Sequence, residues 1–149
     1  MYPFFLFAHN WLRWLVLISG VVIVVFSWLG WLRSRSWGNR ERLWGMIFNA
    51  SMDLQLLVGL LLYFVFSPLT TSAFANFAAA MQNAVQRFFV IEHGVVMLVA
   101  VVFAHLGSVF SKKATDEKGK FRRSAIWYSL ALVFVLAMIP WDRPLFRGF

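Results

Sequence analysis

A chain of 149 residues that is 61% hydrophobic, 19% aromatic and only 13% charged, with a mean hydropathy of +0.72, lies far outside the range of soluble domains and reads as an integral membrane protein. Cysteine is absent, which excludes disulfides, thiolate ligation and a cysteine nucleophile; a metal would have to be held by histidine, methionine or oxygen. The net charge of +8 implies no nucleic-acid partner, because four of the fourteen Lys and Arg residues fall within 33–42 and six within 112–123, two short segments flanking apolar runs.

The first apolar run covers about 4–32 and is long enough to cross a bilayer of roughly 30 Å. It lacks a basic start and a small-x-small cleavage site, so it reads as a retained span rather than a signal peptide. A basic loop with Ser34, Ser36, Gly38 and Asn39 as breakers follows. The second span runs over about 43–66 and stops at Ser67, because the residue before Pro68 is pushed out of helical dihedrals. Residues 67–86 carry no formal charge, and Thr70, Thr71 and Ser72 are placed to cap one short helix reaching Met81. The third span covers about 88–110 and the fourth about 124–139.

Four spans with short basic connections predict an all-α, up-down-up-down four-helix bundle in a single domain. The positive-inside rule places both basic loops in the cytoplasm and both termini outside, in a bacterial inner membrane. Trp11, Trp14, Tyr63, Phe88, Phe89 and Trp141 then form an outer aromatic belt, and Trp28, Trp31, Trp37, Trp44, Trp127 and Tyr128 an inner one.

Residues 87–94 bring Arg87, Glu92 and His93 into one of the most apolar stretches, and such polar groups mark functional sites in membrane spans. The topology makes the first and third spans parallel, so His9 and His93 fall at similar depth near the outer face. His9 shares a helix face with Arg13, Val16 and Gly20, and His93 one with Met97, Ala100, Ala104 and Ser108, a stripe of mostly small residues. Two imidazoles facing each other across a bundle can bind haem iron from both sides. On this reading His9 and His93 are the metal ligands of one haem b, and Arg13 and Arg87 offset its propionates. Glu92 answers Arg87 or Arg13, or accepts a proton beside a quinone. The plainer alternative makes His9 an interfacial residue and His93 a packing residue bonded to a carbonyl. His105, near the inner surface, reads as interfacial.

Asp53 and Arg13 are both expected near the midplane, where an ion pair between them would lower the cost of each charge. Gln55, Gly59 and Tyr63 form a stripe about 200° from Asp53, which reads as a surface for close packing with a neighbour; because it faces elsewhere, that neighbour is expected to be another membrane subunit or a second copy of the chain. No nucleophile with an adjacent base, phosphate loop or HExxH motif is visible, so an enzyme with its own substrate pocket is not expected.

At these residues the chain resembles a family of small four-span proteins, common in Bacteroidota and labelled cytochrome b-like. The resemblance is carried by His9-Asn-Trp-Leu-Arg13-Trp14, by Gln55 with Gly59 and Tyr63, by Arg87 through Glu92-His93 with Met97 and Ala100, and by Ile139-Pro140-Trp141; His105 is not part of it. It implies a membrane haem protein with His9 and His93 as ligands. Expectation therefore centres on a b-type electron carrier. The alternatives are a cofactor-free accessory subunit of a respiratory or photosynthetic complex, and a proton-coupled transporter using Asp53, Glu92 and Arg13.

Overall fold

The computed structural model describes residues 1–143 of the chain. Pro3 lies in the first turn of α1 (Tyr2–Leu32), where a missing N–H is harmless because the first helical donors have no intrahelical partner. Arg33 and Ser34, the latter at φ 48°, turn the chain, and α2 (Asn39–Leu61) starts with the Glu41 carboxylate accepting the Gly38 N–H at 3.0 Å. A π turn over Leu62–Phe66 prolongs α2 until Ser67, where Pro68 opens α3 (Pro68–Ala75).

The single helix expected up to Met81 is instead two. Asn76 leaves helical dihedrals and its side chain accepts the Ala79 N–H, so α3 ends and α4 (Phe77–Gln82) begins with its own cap. Asn83 repeats the device for α5 (Ala84–Arg87), which runs through a second π turn, Phe88–Glu92, into α6 (His93–Lys113). Asp116 then caps α7 (Glu117–Met138) by accepting the Gly119 N–H at 3.0 Å.

Four helices are long and apolar enough to cross a membrane, Tyr2–Leu32, Asn39–Phe66, Ala84–Lys113 and Glu117–Met138, and they form the predicted all-α four-helix bundle. The second, third and fourth start or end beyond the apolar runs that announced them, because polar end turns satisfy helix ends outside the hydrocarbon. Around the bundle the order is α1, α2, α6, α7, with the α2–α6 seam the loosest.

The basic connections share one end of the bundle. The Trp37 N–H donates to the Glu117 carboxylate, and the Trp37 ring meets Phe121 edge-on at 5.0 Å. The core is built on Val16, Ile23, Phe48, Met52, Ala100, Ala104, Ala131 and Val135, with Tyr128 buried edge-on against Phe48. Tyr128 therefore belongs to the core and not to an aromatic belt. Small residues bring the helices close: Ser19 meets Ser51 at 3.3 Å, and Ser27 meets Ser124 at 2.7 Å. At Gly30 the approach is so tight that an added Cβ would fall 2.0 Å from the Phe121 ring.

Candidate functional site

At the end of the bundle away from the basic loops, the four spans diverge around a cavity of about 400 Å³, a size typical of small-molecule and cofactor sites. Its floor is apolar, formed by Val16, Met52, Met97, Val101 and Val135. Polar groups stand on its walls and mouth: His9, Asn10 and Arg13 from α1, Gln55 from α2, Tyr63 and His93 from the two π-turn regions, and Arg143 beyond α7.

The two imidazoles are juxtaposed as depth counting predicts, with ring centres 6.3 Å apart and planes at 63°. The His93 Nδ1–H donates to the Met138 carbonyl at 2.9 Å. That bond fixes the ring and its tautomer and leaves Nε2 as the lone-pair nitrogen, the arrangement found for metal-binding histidines. His9 is held through its backbone, whose carbonyl accepts Gln55 Nε2–H at 3.0 Å. Its ring lies over Gly59, where a Cβ would approach Cε1 to 3.2 Å, so a bare backbone at residue 59 makes room for the imidazole. His9 Nδ1 and Gln55 Oε1 are both buried with no hydrogen-bond partner. Buried polar atoms are almost always satisfied, and these two on the cavity walls are open to a bound group or to water.

The π turns aim these side chains. Each adds a residue to a turn and shifts every following side chain around the helix axis. The Tyr63 hydroxyl, in the first, donates at 2.8 Å to the carbonyl of Val90 in the second; the Tyr63 carbonyl in turn accepts the Thr70 hydroxyl at 2.8 Å. Carbonyls freed by irregular backbone are thus satisfied by side chains, as hydrocarbon surroundings require.

Of the other predicted site residues, Arg13 lines the cavity and is 7% exposed, with its guanidinium 5.8 Å from the Trp14 ring centre. Arg87 and Glu92 are not brought to the wall. They pair with each other at 3.0 Å, their side chains 47% and 43% exposed, and Arg87 also donates to the Met81 carbonyl. The second cation at the mouth is Arg143, 4.4 Å from the Phe89 ring centre. Its position after the helix-ending Pro140 gave no phase from which to place it.

Two expectations are corrected. The Arg13–Asp53 pair gives way to a bond between Asp53 Oδ1 and His105 Nε2 at 2.8 Å on the outer surface of the bundle, because α2 is rotated so that Asp53 faces outward. The same rotation turns the Gln55, Gly59 and Tyr63 stripe inward, onto His9 and Val90, so it builds the cavity instead of meeting a separate subunit.

Fold and site together define a four-helix membrane bundle with a polar-walled cavity between two facing histidines. No protein-family model, curated protein or solved structure matches the chain.

Proposed function

We propose that this protein is a membrane electron carrier of b-type cytochrome character, with one haem held in the cavity between α1 and α6. The observation that carries the reading is the juxtaposition of His9 and His93 across a cavity whose wall holds the orphaned His9 Nδ1 and Gln55 Oε1. Metal–imidazole bonds run about 2 Å, and with roughly 1 Å more from nitrogen to ring centre, two rings on opposite sides of one ion have centres about 6 Å apart. The observed 6.3 Å fits that separation.

Bound there, a haem supplies reversible one-electron chemistry at its iron. The chain's own groups do the rest. His93, pinned to the Met138 carbonyl, and His9, backed by Gly59, would hold the group through their imidazole nitrogens. Arg13 and Arg143 offset carboxylates at the mouth, and the apolar floor excludes water. Leu60, Val95 and Leu98 both line the cavity and face outward at the α2–α6 seam, a lateral route by which a lipid-soluble quinone can exchange electrons.

A reduced-minus-oxidised absorption spectrum of the purified protein tests the reading. A low-spin bis-imidazole band is expected in the wild type, lost in His93→Ala and in His9→Ala while helical circular dichroism persists. A wild type without the band after haem supplementation, or an unchanged band in either variant, rejects it.

A further inference from the structure

Asp53 and His105 form a bonded acid–base pair on the outer surface of the bundle, where lipid would be expected. Their side chains are 52% and 49% exposed. Asp53 lies 14 residues into α2, roughly 21 Å from its basic end by helical rise, and His105 lies 8 residues before the end of α6, roughly 12 Å in. The pair is thus within the hydrocarbon, between the middle of the bundle and its basic end, where exposed ionisable groups are costly. Each partner retains an uncommitted polar atom, Asp53 Oδ2 and His105 Nδ1, since the bond between them uses only Oδ1 and Nε2.

The surroundings have the form of a helix-packing seam. On α2, Met46 and Ala50 precede Asp53 by seven and three residues, and on α6, Val102 and Val109 flank His105 at three and four; all face outward. Spacings of three and four repeat along one helix face, and a polar residue within such a seam sets register.

We infer that this face is the contact between two copies of the chain, related by a two-fold axis along the bundle. The commitment to a second copy rests on self-complementarity. In an isologous contact each patch meets itself, so a patch carrying both an acid and an imidazole satisfies its own spare atoms. The Asp53 Oδ2 accepts from His105 of the partner subunit, and the reciprocal bond forms across the axis. With both imidazoles protonated, each donates from both nitrogens, and two carboxylates alternate with two imidazoliums in a neutral ring. A foreign helix would need its own matched acid and base. The contact lies on the α2–α6 face, nearer its basic end than the opening at Leu60 and Val95. It does not rest on the haem reading, and its test involves no cofactor.

The cysteine-free chain allows a direct test in native membranes. Ala50→Cys, beside the axis, is oxidised with copper phenanthroline, and Val133→Cys, exposed on α7 diagonally across the bundle, serves as control. We expect a disulfide-linked homodimer from Ala50→Cys and not from Val133→Cys, since bridged Cα atoms must lie within about 7 Å. Adding Asp53→Leu and His105→Leu removes two reciprocal bonds and should raise the dimer dissociation constant about tenfold, with a matching fall in cross-linking. Exchanging the pair, Asp53→His with His105→Asp, should restore it even if the leucine variant folds poorly. A monomer in Ala50→Cys membranes, equal cross-linking at Val133, or a linked species of another mass containing a different protein would overturn the inference.

Discussion

Tyr63 and Val90 are joined by a 2.8 Å hydrogen bond that ties the π turn ending the second span to the π turn preceding His93. The bond satisfies a carbonyl that irregular backbone has released and holds the two spans at the mouth of the cavity. Tyr63→Phe keeps the ring and removes the donor. It should cost about 1 kcal/mol in a detergent unfolding titration. It should also speed amide exchange over residues 88–93. Unchanged exchange there would show that the bond does not hold the turn.

Gly59 allows the His9 ring to lie against α2, with 3.2 Å between a would-be Cβ and Cε1. Gly59→Val should displace the ring and convert the low-spin bis-imidazole spectrum to a weaker or high-spin one while leaving helical content intact. Gly59→Ala should do so partially. An unaltered spectrum in Gly59→Val would mean that His9 is not held where haem ligation needs it.

Arg13 and Arg87 should separate cleanly. Arg87 is engaged with Glu92 in a half-exposed pair, and exposed pairs contribute at most about 1 kcal/mol. Arg87→Gln should therefore leave haem affinity within about twofold of the wild type, whereas Arg13→Gln, altering a cavity wall, should weaken it about tenfold or more. Haem titration of apoprotein measures both. Equal losses would return Arg87 to the site.

At the other end of the bundle, Gly30→Ala would place a methyl group 2.0 Å from the Phe121 ring. Overpacking of this kind costs roughly 1–3 kcal/mol. Phe121→Leu should be destabilising alone and yet recover part of the loss in the double variant, a coupling that a double-mutant cycle reads. Strict additivity would show that the helices separate to accept the methyl group.

The four spans and the facing of His9 and His93 are legible in the sequence because hydropathy and residue counting fix depth along the membrane normal. Rotation about each helix axis is less accessible. Asp53 and Gln55 are correctly read as facing apart, but the sequence alone does not say which of them faces inward. Hence Asp53 is matched to Arg13 when its partner is His105, and the Gln55 stripe is assigned to a neighbour when it builds the cavity. The π turns add to the difficulty, since an extra residue per turn breaks the 100° phase on which Arg87, Glu92 and His93 are placed. Asn76 and Asn83 carry cap signals inside an apolar stretch, and a reading that favours the Thr70–Ser72 cluster passes over them.

The bond from His93 to the Met138 carbonyl has a consequence for biogenesis. Met138 is the last residue of α7, so its carbonyl is among those left open by the end of the helix, and the imidazole closes it. A nascent chain with three inserted spans has His93 in place but no acceptor to set its orientation. The imidazole and α7 therefore settle together, and the orientation of the His93 ring is set only once α7 has been delivered to the bilayer.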